Sequence, residues 1–389
     1  MNKEPSHDEK TALWKAYAER KPIRVPLRWN VNTRIIVLNP ELNPEGFSFE
    51  QVAKDPQVAM TVQSRFIEYL ATTLSHYCDV QWTIPEAWWF WVETHNTYDA
   101  AYFGAPVRFN PGQVACTETP FNLDDVDDFL ARDFSNPLKN VWLMEQLHAR
   151  EVLDRAAQSF TYAGRKGTVG PFTLGFDGPL TVATNLFGED IFVLLGMDPP
   201  KARELLLTIT RAVILRNRAL CRLAGEALTP KHGGWMADDS VQLISTEMLE
   251  EVVLPAHKLW FSEMFLPPTV EVERACHLCG DATRHFPLLA RELGITSFDT
   301  GFPVNHSALR QALGPDVEIC GGPEISLLMQ GTPEACAART CQILHSGVME
   351  GGRFLLQEGN NLPPCAPLEN LAAVYNACQT EGCYGIEFV

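Results

Sequence analysis

The sequence predicts an α/β protein, a (β/α)8 TIM barrel with an irregular, Trp-rich N-terminal extension. Three observations carry that expectation. From about residue 168 onward, extended and helical patterns alternate strictly, which builds a parallel sheet with crossover helices. A chain of 389 residues, 46% of them hydrophobic, is long enough for one large barrel or two modest domains. Successive extended segments also end in polar side chains, as they do where a barrel assembles its site at the C-terminal strand ends. We read residues 1–389 as a single domain, with residues 1–75 as the extension and first helical segment. An open doubly wound sheet is the alternative. No GxGxxG opens a helix early in the chain and no GxxxxGK[ST] occurs, so dinucleotide-binding and P-loop readings have no support.

In chain order, the first strong signal is helical. Asp55-Pro56 supplies a cap followed by a first-turn proline. Val58, Val62, Phe66 and Leu70 then recur on one face, so a helix is expected over Asp55–Leu74. Trp82, Trp88, Trp89 and Trp91 follow within ten residues. They read either as an aromatic wall of the core or, at Trp89, as an apolar surface for a flat organic ligand. Extended segments are then expected at 168–176, 234–239, 273–279, 297–300, 317–320 and 353–357. Helices are expected between them at 200–224, 246–261, 283–293, 307–313 and 333–348, and after the last at 367–378.

Bulk properties exclude several classes of function. The net charge is −17 and no Lys/Arg run interrupts it, so nucleic acid and anionic membrane surfaces are not expected partners. No apolar run approaches a membrane span, and the N-terminus lacks an apolar stretch behind a basic start. A cytoplasmic protein is therefore expected. Its eleven cysteines then read as reduced thiols, with Cys221, Cys336, Cys341 and Cys378 as small core residues.

The chemistry-bearing residues cluster at the strand ends. His277 and Cys279 are two apart on an extended segment, so both side chains share one face. Imidazole and thiolate are both zinc ligands; the alternative is a buried hydrogen-bonded pair. Asp238 and Asp239 end the preceding extended segment, and either could instead cap the helix that follows. Asp281 could likewise cap a helix. Asp299, then Cys320 with Glu324, then Asn360 and Asn361 follow at later strand ends. Asn361 could equally brace a loop, and Gly321-Gly322 could be a turn.

These residues carry a resemblance. Asp238-Asp239-Ser240, His277-Leu278-Cys279-Gly280-Asp281, Leu313 to Glu324, and Gly351 to Asn370 with its Pro-x-x-Pro-Leu-Glu-Asn ending resemble the uroporphyrinogen decarboxylase superfamily. The resemblance covers residues 170–389 well and the N-terminal half loosely. It implies a (β/α)8 barrel. It also implies one of several chemistries, among them decarboxylation in porphyrin synthesis and zinc-dependent methyl transfer between corrinoid proteins and thiols. His277 and Cys279 match the His-x-Cys half of the methyltransferase zinc motif. The third ligand position, a cysteine in those enzymes and a histidine in the decarboxylases, reads Asn360. The paired arginines of the decarboxylases are also missing, and the nearest counterpart, 23–30, includes Arg28 at other spacing.

The resulting expectation is a zinc-dependent methyl or alkyl transferase acting with a thiol or with a corrinoid carried by a separate partner protein. In it His277, Cys279 and Glu324 hold the metal, with Cys320 as another candidate third ligand. Asp238, Asp239 and Asp299 are the catalytic carboxylates. Arg28, Trp89, Asn360 and Asn361 meet a small-molecule substrate, and a homodimer is the expected assembly. The alternatives are a carboxy-lyase on an acidic substrate, using Asp238 and Asp299 as acids, or a barrel that binds without catalysis.

Overall fold

A computed structural model describes residues 5–226, 233–269 and 272–385. The first four residues, on which the reading of the N-terminus partly rests, lie outside it. Two parallel strands, β1 (Trp88–Phe90) and β2 (Arg165–Val169), pair in a small sheet. The main sheet has five parallel strands in sequential order: β3 (Gly234–Ala237), β4 (Arg274–Leu278), β5 (Ser297–Thr300), β6 (Glu318–Gly321) and β7 (Phe354–Leu356). The segments expected at 234–239, 273–279, 297–300, 317–320 and 353–357 all become strands of this sheet. The expected 168–176 strand is regular only in its first residues.

The helices also fall where the sequence expects them. Pro56–Thr72 is capped by Asp55, whose carboxylate accepts from the N–H groups of Gln57 and Val58. Helices Pro199–Leu223, Leu254–Met264, Phe286–Leu293, His306–Leu313, Pro333–Ile343 and Leu368–Glu381 separate or follow the strands. The longest, Pro199–Leu223, buries Ala202, Leu205, Leu206, Ile209, Ala212, Val213 and Leu220, the spacing of a single apolar stripe. Each such leucine or isoleucine contributes about 1.5–3 kcal/mol by leaving water.

Both edges of the five-stranded sheet continue through extended chain. On the β7 side, Arg28 N donates to Leu356 O (3.1 Å) and Leu356 N to Pro26 O (3.0 Å), with a parallel bridge at Leu27. On the β3 side, Ala237 N donates to Phe176 O (3.5 Å). Residues 26–28, within the expected N-terminal extension, are therefore laid along the last strand. Helix His7–Ala18 docks at the N-terminal ends of the strands, where Tyr17 donates to Glu318 Oε2 (2.7 Å). Among the described residues no single helix is long and apolar enough to cross a membrane.

Candidate active site

The strand ends of β3 and β4 bring three ligand-type side chains together. Asp239, His277 and Cys279 each offer an atom, and these atoms lie within 4.8 Å of one another. His277 Nε2 is 2.8 Å from Cys279 Sγ and 3.8 Å from Asp239 Oδ1. The backbone N–H of Cys279 donates to Asp239 Oδ1 (2.7 Å), which ties the turn after β3 to the end of β4. Alternation along β4 turns His277 toward this cluster and buries Cys276 and Leu278 on the other face.

His277 is held from behind. Its Nδ1 is 2.9 Å from Asp299 Oδ2, the residue paired with it in register on β5. Asp299 also accepts from Gln357 Nε2, and Gln357 Oε1 accepts from Arg28 Nε (2.9 Å). A chain of contacts thus runs from Arg28 through Gln357 and Asp299 to the imidazole. Burial works against charge on His277, but the Asp299 carboxylate and Cys279 outweigh it and hold the imidazole up at about 11. Burial raises the Cys279 thiol although His277 opposes it. With Nδ1 beside a carboxylate, Nε2 is the nitrogen presented to a ligand.

The other expected site residues are placed differently. Asp238 is fully buried and accepts from Thr181 N (2.7 Å), Thr181 Oγ1 (2.9 Å) and Leu180 N (3.3 Å), and His257 Nε2 lies at 2.7 Å. It caps helix Pro179–Phe187, not the helix after its own strand, and all its lone pairs are engaged. Asp238 is thus placed as a cap of that helix and stands outside the ligand cluster. Glu324 grips Arg339 with both oxygens (2.7 and 3.1 Å) and is not among the clustered donors. The carboxylate of the cluster is Asp239. Cys320 points toward Glu318 (3.5 Å) and Ser297 (3.9 Å), at the N-terminal ends of the strands.

Asn360 and Asn361 form a braced loop. Asn361 Nδ2 donates to Asn360 Oδ1 (3.0 Å), Asn32 Nδ2 to Asn361 Oδ1 (3.1 Å), and Asn30 Nδ2 to Asn360 O (3.3 Å). The tryptophans divide. Trp88 is core, Trp89 is half-exposed with its ring over Gly170, and Trp91 lines a cavity of about 390 Å³ with Arg34, Glu93, His95 and Arg150. Of Trp88, Trp89 and Trp91, it is Trp91 that lines this cavity. Gln357 went unnoticed in the sequence because a neutral amide carries no motif. Asp177, which ends the extended chain beside β3, was missed because its neighbours are brought to it from Tyr98, Asp99 and Arg216.

Comparison with known proteins supplies a relative, a fold likeness and a family. A methylated-thiol–coenzyme M methyltransferase from Methanosarcina mazei is 32% identical over 208 residues, 52% of this chain and 51% of that protein. The chain thus spans about half the length of this curated relative. A solved methyltransferase structure from Methanosarcina mazei superposes with a TM-score of 0.58, covering 95% of this chain and 98% of the other at 16% identity, which is a likeness of fold. Residues 98–381 match the uroporphyrinogen decarboxylase (URO-D) family, and the chain belongs to that family.

Proposed function

We propose that this URO-D family member is a methyltransferase that moves a methyl group to or from a thiol at a zinc ion held by Asp239, His277 and Cys279. Its strands continue at both edges, and we take the fold to be the closed (β/α)8 barrel, with the cluster at its C-terminal mouth. The observation that carries the reading is the cluster itself: one carboxylate, one imidazole and one thiol converge, and the imidazole is steadied by Asp299.

The donor set fits zinc. Bond lengths of about 2.0–2.3 Å to N, O and S in a tetrahedral site put ligand atoms about 3.5 Å apart, close to the spread seen here. Three protein ligands also leave a fourth position open, as catalytic zinc sites require. Zinc bound there would lower the pKa of a substrate thiol so that thiolate forms near neutral pH. His277 is oriented for this by Asp299, and Gln357 and Arg28 fix Asp299 in turn. Asp239 stands as third ligand where the methyltransferases of the resemblance use a cysteine, so the site carries one soft and two harder ligands. The relative named for a methylated thiol and coenzyme M supports a thiol as acceptor or product. A methyl-corrinoid on a separate protein is the donor we favour.

The lyase alternative needs free carboxylic acids at 238 and 299. Asp238 is sealed under a helix and Asp299 is engaged by His277 and Gln357, which favours methyl transfer. The test is methyl transfer from methylcobalamin to simple thiols, read as methylated product by mass spectrometry. Transfer that falls at least about 100-fold in Cys279→Ala supports the proposal. Full activity in that variant, or decarboxylation of uroporphyrinogen III instead, refutes it.

A further inference from the structure

The cavity of about 390 Å³ beside Trp91 opens at the C-terminal ends of β1 and β2, where residues 91–96 and 170–173 leave the strands. Its size falls within the roughly 300–1,000 Å³ of small-molecule sites. Asn32, on its wall, donates to Asn361 Oδ1 (3.1 Å) in the loop after β7. The cavity thus belongs to the rim that the strand ends form, and nothing described so far occupies it.

Two guanidiniums line it, Arg34 and Arg150. Arg34 Nη2 donates to Asn96 Oδ1 (3.2 Å). Arg150 donates to Gly170 O from Nε (2.9 Å) and to Val169 O from Nη2 (3.5 Å). Among the described residues neither pairs with a carboxylate, in a chain whose net charge is −17. The buried Arg34 Nε has no hydrogen-bond partner, and neither has the buried His95 Nε2. The first is a donor in every state, the second whenever it carries hydrogen. The His95 side chain is only 5% exposed, packs edge-on against Phe49 at 5.1 Å, and sits on a backbone with φ +45°. Such left-handed non-glycine residues cluster at ligand sites.

The charge count selects the ligand. The one acidic residue on the wall, Glu93, is already engaged. Its Oε2 accepts from Thr33 Oγ1 (2.9 Å) and Trp91 Nε1 (3.2 Å), and its Oε1 is 3.5 Å from His95 Nδ1. Two guanidiniums against one carboxylate leave an excess of one positive charge. Charge drawn out of water without a partner is costly, and burial lowers Arg34, with Glu93 opposing. A monoanion restores the balance, whereas a phosphate, with close to two charges at neutral pH, overshoots it.

We propose that this cavity binds a small organic carboxylate, its head group between Arg34 and Arg150 and its apolar body toward Trp91 and Phe172. The guanidinium fork matches a carboxylate through paired N–H donors. No metal takes part, so the site is independent of the zinc reading.

The probe is benzoate, with benzyl alcohol as its neutral analogue and phenyl phosphate as the dianion, in equilibrium dialysis against the full chain at fixed ionic strength. About one benzoate per chain is expected to bind saturably, at least about tenfold tighter than benzyl alcohol and tighter than phenyl phosphate. Arg34→Gln and Arg150→Gln should each weaken benzoate at least about tenfold. Lys166→Gln, which removes an exposed charge outside the cavity, should change it less than about twofold. Arg150→Gln decides the matter if Arg34→Gln fails to fold. No saturable benzoate binding, equal binding of benzyl alcohol, or unchanged binding in Arg150→Gln overturns the site. Phenyl phosphate bound as tightly as benzoate, or more so, overturns the choice of a carboxylate.

Discussion

Replacing Asp299 with alanine leaves the three clustered donors in place and removes only what stands behind His277. In the wild type, Asp299 Oδ2 is 2.9 Å from His277 Nδ1 and its other oxygen accepts from Gln357. Without it, the imidazole loses both the partner that fixes its orientation and the negative charge that raises its basicity. Loss of such a supporting carboxylate weakens metal affinity about 10- to 100-fold, or about 1.4–2.7 kcal/mol. Gln357→Ala acts one contact further out and should cost less than about tenfold. Zinc affinity measured by competition against a chromophoric chelator distinguishes these values. If Asp299→Ala binds zinc as tightly as the wild type, His277 is not the nitrogen ligand, and the argument from its contacts fails.

Further expectations concern the frame of the site. Gly178 has φ +89° and no room for a Cβ beside Ala237 O and Asp238, so Gly178→Ala should lose at least about 2 kcal/mol in denaturant unfolding. Asp238→Ala orphans His257 and uncaps helix Pro179–Phe187; a loss of about 3–5 kcal/mol is expected. Zinc affinity should change little in whatever fraction of that variant stays folded. His306 is buried and depressed to about 4, by burial first and Arg339 second. An unfolded histidine protonates near 6.5, so the unfolded chain binds the extra proton between these values and stability falls as pH drops from about 6.5 to about 4. This one group contributes up to about 3 kcal/mol to the fall. His306→Leu should flatten the pH dependence of unfolding in that window.

The sequence shows these features unevenly, for physical reasons. The alternation after residue 168 was legible because each helix there carries its own apolar stripe or cap, as Thr332 does for Pro333–Ile343. Helix Val141–Ala157 escaped notice because it buries only Leu143, Leu153 and Ala157, too few to print a period. Helix Pro179–Phe187 escaped because its capping carboxylate, Asp238, comes from a strand 57 residues away. At the site, His277 and Cys279 were legible from their i, i+2 spacing alone. The pairing of Glu324 with Arg339, on helix Pro333–Ile343, was not legible because it joins two residues with no shared motif. Arg28 does reach the site, but through Gln357, a connection 329 residues long in sequence.

On the proposed function, Asp239, His277 and Cys279 hold one zinc ion for thiol chemistry. Its most direct test is the zinc content of freshly purified protein, wild type against Cys279→Ala and Asp239→Ala, by elemental analysis. About one zinc per chain is expected in the wild type and a small fraction of that in either variant. Metal-free wild type that still methylates a thiol, or full zinc occupancy in both variants, would contradict it.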